Sequence, residues 1–165
     1  MHRVGITGHV ELSEEIATWV VEALTVRLKA VPQHGWRGIT CLARGADQMF
    51  AKVLLTLKAR YEVILPAADY RQRMIDDGSA EPFADLLARA DEVETMPYPT
   101  SSRQAYLAAS EAMLSRCDLL LAVWDGQPSR QVGDTADVVA KARARQIPIT
   151  VIWPPVPTGS TSRLR

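Results

Sequence analysis

A chain of 165 residues fits one domain, with length enough to bury a substantial core. Apolar residues make up 47 % and charged residues 23 %, the balance of an ordinary globular protein rather than a disordered or membrane-embedded one. Nineteen basic residues offset nineteen acidic ones, which argues against a chain whose main task is gripping nucleic-acid backbone, so nucleic acid is not expected among its partners.

The first strand covers residues 3–7 and ends at Gly8. Ser13 then offers an N-cap, with Glu14 and Glu15 suited to the positive end of a helix. Ile16, Val20, Ala23, Leu24, Leu28 and Val31 mark the apolar face of that helix. A second strand over 38–42 turns through Arg44-Gly45-Ala46-Asp47 into a helix striped by Met49, Phe50, Val53, Leu54 and Leu57. Residues 61–65 form a third strand, closed by Pro66. The segment 67–80 is polar and read as irregular towards its end, where Asp76-Asp77-Gly78-Ser79 suits an exposed loop. A short helix around 82–90 precedes a weaker strand near 93–96.

After Pro97-Tyr98-Pro99-Thr100, Ser101 or Ser102 caps a helix carrying Tyr106, Met113, Leu114 and Cys117. Residues 119–124 are almost continuously apolar, which suits a central parallel strand covered on both faces. A loop over 125–132 leads to a helix over 135–145 and a last strand over 147–153. The segment 154–165, rich in proline, serine and threonine, is read as a disordered tail after a single domain over 1–153. Strand alternating with helix throughout predicts an α/β fold, a Rossmann-like three-layer sandwich around a mainly parallel sheet.

Cys41 and Cys117 sit beside apolar runs, and no CxxC or Cys/His cluster accompanies them. They read as free thiols in a reducing compartment, with no metal site and no separate cofactor expected. The chain starts directly on a strand-like run and has no apolar stretch of membrane-spanning length, so a cytoplasmic protein without a membrane partner is expected.

Ligands of open parallel sheets bind outside the carboxyl ends of the strands, where the strand order reverses. The special residues of this chain fall at those ends: Gly8 and His9, Arg44 to Asp47, Asp125 and Gly126, and Gly133-Asp134-Thr135. Glycine admits close backbone approach, a helix start offers N–H groups to phosphate, and arginine grips phosphate with a forked pair of bonds. Asp47 and Asp137 suit ribose hydroxyls or a base edge. Taken singly, each glycine also fits a tight turn, Asp47 a helix start, His9 a loop, and Trp124 and Trp153 packing at the sheet end. Neither GxGxxG nor GxxxxGK[ST] is complete, which disfavours a standard dehydrogenase or P-loop ATPase.

The run Ala43-Arg44-Gly45-Ala46-Asp47 with Ala51, followed by Val63-Ile64-Leu65-Pro66, resembles the YspA-like branch of the SLOG (SMF/DprA–LOG) superfamily. Cys117-Asp118, Ala122-Val123-Trp124-Asp125-Gly126 and Gly133-Asp134-Thr135-Ala136-Asp137-Val138-Val139 fit the same pattern, and the resemblance extends over 3–153. It implies a pocket for a nucleotide or nucleotide sugar, formed by Gly8, His9, Arg44, Gly45, Ala46, Asp47, Asp125, Gly126, Gly133, Asp134 and Thr135, and a homodimer. Some members sense NAD-derived signals such as ADP-ribose, LOG enzymes cleave the N-glycosidic bond of nucleoside monophosphates, and DprA-type members bind single-stranded DNA. The LOG motif PGGxGTxxE is altered here: Asp134 replaces a glycine, and Val138 stands three residues after Thr135 where the glutamate is expected. A binding or sensing domain, with phosphate on the Gly133–Thr135 helix start and on Arg44, is therefore preferred. The alternative is an N-glycoside hydrolase in which Asp137, or else Asp47, is the catalytic candidate. Single-stranded DNA binding, through a patch of Arg71, Arg73, Arg103, Arg143 and Arg145, is the third reading.

Overall fold

The computed structural model describes residues 2–32 and 35–155. In chain order these form β1 (His2–Gly8), α1 (Glu14–Lys29), β2 (Trp36–Thr40), α2 (Ala46–Thr56), β3 (Tyr61–Leu65) and α3 (Tyr70–Asp76). Then come α4 (Ala80–Ala88), β4 (Glu92–Thr95), α5 (Arg103–Arg116), β5 (Leu119–Val123), α6 (Thr135–Ala144) and β6 (Ile149–Ile152). The expected tail lies, from residue 156 onward, outside the described residues.

The six strands pair in the order β4-β3-β2-β1-β5-β6, every pair parallel. Alternating side chains build the two outer layers, because successive strand residues point to opposite faces. Val4, Ile6, Val63, Leu121 and Val123 face the core shared with α1, α2 and α4. Ile39, Ile64 and Leu120 face the smaller core under α5 and α6. Gly38 sets the closeness of α2 to the sheet: a Cβ there would stand 2.3 Å from Leu54 Cδ1. The α/β three-layer architecture expected from the alternation is the one observed.

The difference lies in α3. The sequence reads as irregular there because only Tyr70 and Met74, one helical turn apart, are buried, while Arg71, Gln72, Arg73, Ile75 and Asp76 are exposed. Two buried side chains are too short a stripe to register as a period. The caps of the longer helices are as read: Ser13 Oγ accepts from the Ile16 amide, and Ser102 Oγ from that of Ala105.

The chain builds outward from β1 to β4 and then returns through α5 to place β5 on the other side of β1. The order reverses between β1 and β5, which are in register from Val4 opposite Leu119 to Gly8 opposite Val123. Their carboxyl ends therefore open the crevice in which such sheets bind ligands.

Candidate functional site

A cavity of about 440 Å³ fills that crevice. Its floor is Ile6, Thr7 and Gly8 at the end of β1. One wall comes from Ala43, Arg44 and Asp47, a second from Tyr70, Arg73 and Met74 of α3, and a third from Tyr106 and Met113 of α5. The start of α6 closes it with Gly133, Asp134, Thr135 and Val138. The size suits a small organic ligand.

Two glycines hold the floor together. Gly8 packs so closely on its neighbours that a Cβ would stand 2.5 Å from that of Ala46 and 2.7 Å from that of Val123. Gly45 has φ +79°, and a Cβ there would stand 2.3 Å from the Val10 carbonyl oxygen and 2.5 Å from that of His9. The Ala46 amide donates to the His9 carbonyl at 3.2 Å, tying the two loops together. Gly45 and Ala46 thus shape the cavity from behind rather than lining it.

Asp47 lines the cavity but turns its carboxylate back into the β2–α2 loop. Its Oδ2 accepts from Thr40 Oγ1 and from the Cys41 amide, each at 3.1 Å. Burial pushes its carboxyl up to about 6, against the pull of those hydrogen bonds. Burial likewise raises the neighbouring Cys41 thiol, which stays protonated and is a poor nucleophile.

Arg44 is half-buried on the cavity wall and forms no ion pair or hydrogen bond among the described residues; Arg73, exposed at the mouth, is likewise unpaired. Six other guanidinium groups are engaged in ion pairs: Arg3 with Glu62, Arg37 with Glu92, Arg60 with Asp91, Arg89 with Asp85, Arg116 with Glu94 and Arg145 with Glu111. Sequence reading placed Arg73 only in a diffuse basic patch. It missed Tyr70 and Arg73 as cavity residues because their helix, α3, went unread.

The start of α6 departs most from expectation. Asp134 is its N-cap: Oδ1 accepts from the Asp137 amide at 2.9 Å, and Oδ2 from Arg130 and Gln131 at 2.8 and 3.2 Å. Although burial opposes it, these amide bonds hold the Asp134 carboxyl down at about 2. Asp137 reaches back to the Gly133 amide at 2.8 Å and pairs with Lys141 at 3.1 Å. Of the phosphate seat expected on Gly133 to Thr135, the Gly133 amide is engaged by a carboxylate. Among the described residues the amides of Thr135 and Ala136 keep no acceptor. Asp137, the catalytic candidate, is turned to its own helix. It lies on no cavity wall, and the position facing the cavity is the apolar Val138.

His9 links this cavity to a second one of about 590 Å³ beyond the end of β5. Its Nε2 lies 3.2 Å from both the amide nitrogen and the carboxylate Oδ1 of Asp125. The amide can only donate, so Nε2 accepts from it. Asp125 lines the second cavity, whereas Gly126 lies on neither wall. Among the described residues no group of three or more His, Cys, Asp or Glu is arranged to hold a metal, and no helix is long and apolar enough to cross a membrane.

The fold is shared with known structures. DNA processing protein A (DprA) from Streptococcus pneumoniae superposes with a TM-score of 0.66 at 11 % identity, over 96 % of this chain and 52 % of that one. DNA processing protein A from Helicobacter pylori, characterised for its single-stranded DNA binding mode, gives 0.67 at 14 % identity, over 91 % and 64 %. The structural genomics target TM1055 gives 0.59 at 14 % identity, over 90 % and 72 %. The chain thus spans about half the length of the first of these and under two thirds of the second. No family model and no curated protein matches it. The fold expected from the resemblance to the SMF/DprA–LOG superfamily is the fold observed.

The expectation that nucleic acid is no partner class is overturned by the same finding, because this is the fold of DprA proteins, one of them known for binding single-stranded DNA. The inference from net charge failed for a physical reason. A total of zero carries no record of where the charges lie, and guanidinium groups such as Arg44 and Arg73 stand together on one cavity.

Proposed function

We propose that the chain binds a phosphate-bearing nucleotide or nucleotide sugar in the cavity between β1 and β5, as a binding or sensing domain. The observation that carries this reading is the pair of guanidinium groups, Arg44 and Arg73, without partners among the described residues, on the wall of a ligand-sized cavity at the reversal of strand order. The phosphate sits against Arg44, with the open amide of Thr135 as a further donor. Base and ribose lie along Gly8, His9 and the exposed face of Tyr106.

A thermal-shift screen against AMP, ADP-ribose, cyclic ADP-ribose and NAD tests it. A ligand at a hundred times its Kd adds about 2.7 kcal/mol to the folded state, a plain rise in midpoint. No shift with any of the four sinks the reading.

An N-glycosidase acting on nucleoside monophosphates finds less support. Val138 stands at the expected glutamate, Asp137 caps its own helix, and the oxygen of Asp47 that is engaged by Thr40 and Cys41 is not free for a sugar. Free base released from a purine nucleotide, and lost in Asp47→Asn, would restore that alternative. Single-stranded DNA is the reading favoured by the DprA neighbours. Its mark is retention on oligothymidylate that weakens steeply with salt and is abolished in an Arg44→Ala, Arg73→Ala double variant.

A further inference from the structure

Most buried polar side chains of the described residues find a partner inside the fold. Arg37 pairs with Glu92, Thr40 with Asp47, Gln48 with the Leu42 carbonyl and Glu62 with Arg3. Tyr61, sealed in the core, donates its hydroxyl to the Leu86 carbonyl. Thr7 and Tyr70 break this pattern. They are only 9 % and 3 % exposed, yet neither hydroxyl has a hydrogen-bond partner among the described residues.

Both residues line the first cavity, Thr7 in its floor and Tyr70 in the wall supplied by α3. Among the described residues no fully enclosed side-chain nitrogen or oxygen lacks a hydrogen bond, so these two hydroxyls are not sealed off. On residues buried this far, the opening left to them is the cavity. The Tyr70 ring is held edge-on between Phe83 and Tyr106, with ring centres 5.7 and 6.1 Å away. Burial, reinforced by Cys41, Asp47, Tyr106 and Asp77, raises its hydroxyl above the ordinary tyrosine value, and all four of those residues line the same cavity. The hydroxyl therefore keeps its proton and is able to donate.

While the cavity is open, solvent can serve both groups. A ligand that fills it must supply hydrogen bonds in return or leave buried oxygens unpaired, which turns each hydroxyl into a discriminating contact. Hydroxyls suit the uncharged polar atoms of a base or a sugar, whereas a guanidinium suits the phosphate. We infer that Thr7 and Tyr70 are specificity-determining residues of this cavity, their hydroxyls bonding the base and ribose of the nucleotide whose phosphate Arg44 receives. This rests on the nucleotide reading above and adds which side chains select its uncharged part.

Titration calorimetry with AMP, paired with denaturant midpoints of the unliganded chain, tests it on three variants that each remove one hydroxyl. Tyr70→Phe and Thr7→Val are each expected to weaken AMP binding about tenfold. Their unliganded midpoints should stay the same or rise, because the lost hydroxyl made no bond within the fold. Tyr61→Phe, which loses its bond to Leu86, should do the reverse, with a lower midpoint and wild-type affinity. Wild-type affinity in both Tyr70→Phe and Thr7→Val overturns the two contacts and spares the nucleotide reading. So does a loss of affinity that comes with a midpoint fallen as in Tyr61→Phe, since the hydroxyls would then be structural. No binding of AMP to the wild type overturns the nucleotide reading and this inference with it.

Discussion

The starts of α2 and α6 face each other across the cavity and use similar residues to different ends. Each follows a glycine with positive φ, Gly45 at +79° and Gly133 at +91°, and each carries an aspartate whose carboxylate accepts backbone amides. At α2 the aspartate is buried and its carboxyl rises to about 6; at α6 it is half-exposed and falls to about 2. The amide bonds are comparable, so burial decides the sign. The functional outcome differs in the same way. Asp47 turns inward and leaves Arg44 facing the cavity, whereas Asp134 and Asp137 place carboxylates at the helix end that a phosphate would otherwise occupy. One loop is open to an anion and the other is largely self-capped.

The strongest way to break the comparison is through the glycines. Gly45→Ala sets a Cβ against two carbonyl oxygens in a left-handed backbone, and is expected to cost about 3 kcal/mol or more of stability. Gly133→Ala meets only the tip of Leu107, at 3.1 Å, and should cost about 1–2 kcal/mol from its backbone alone. Equal losses in urea denaturation would mean that the close packing of the two loops at Gly45 contributes nothing.

Asp134→Ala removes the cap of α6 and is expected to cost about 1 kcal/mol, most visible as faster amide exchange in the first turn of that helix. Asp134→Asn, which keeps a capping oxygen, should recover most of it.

The pH dependence separates the two aspartates, which contribute with opposite signs. Asp47 has its folded value raised, so the folded state binds an extra proton and is stabilised as pH falls from about 6 towards the ordinary carboxyl value near 4. Asp134 has its folded value lowered, so its contribution is complete above about 4 and is lost as pH falls towards about 2. Denaturant midpoints measured from pH 7 to pH 3 should show the first slope in the wild type and not in Asp47→Asn. A wild type whose stability falls steadily from pH 6 to pH 4, with no contrast to that variant, contradicts the assignment.

The strands and most helices were legible because burial on two faces leaves long apolar runs, as at Leu119 to Val123, and amphipathic stripes, as in α1. α3 was not, since its packing rests on two side chains within seven residues. The cavity floor was legible for a related reason: Gly8 and Gly45 sit where strands end, and a strand end has few other uses for glycine. The roles of Asp134 and Asp137 were hidden, because a carboxylate that caps its own helix and one that meets a ligand occur at the same sequence position. Trp124 and Trp153 were read as packing residues, and only the topology brings both to one cavity. Net charge misled about nucleic acid because a sum over residues carries no record of where on the molecule the charges lie.

The central claim is that Arg44, without a partner among the described residues, receives the phosphate of a nucleotide. Titration calorimetry of AMP into the wild type and into Arg44→Ala tests it most directly. A charge-assisted bond lost in a half-buried setting costs about 1.5–3 kcal/mol, so the variant should bind at least about tenfold more weakly while its unliganded denaturation midpoint stays the same. Equal affinity in the two proteins, or no binding of AMP to the wild type, would contradict the account.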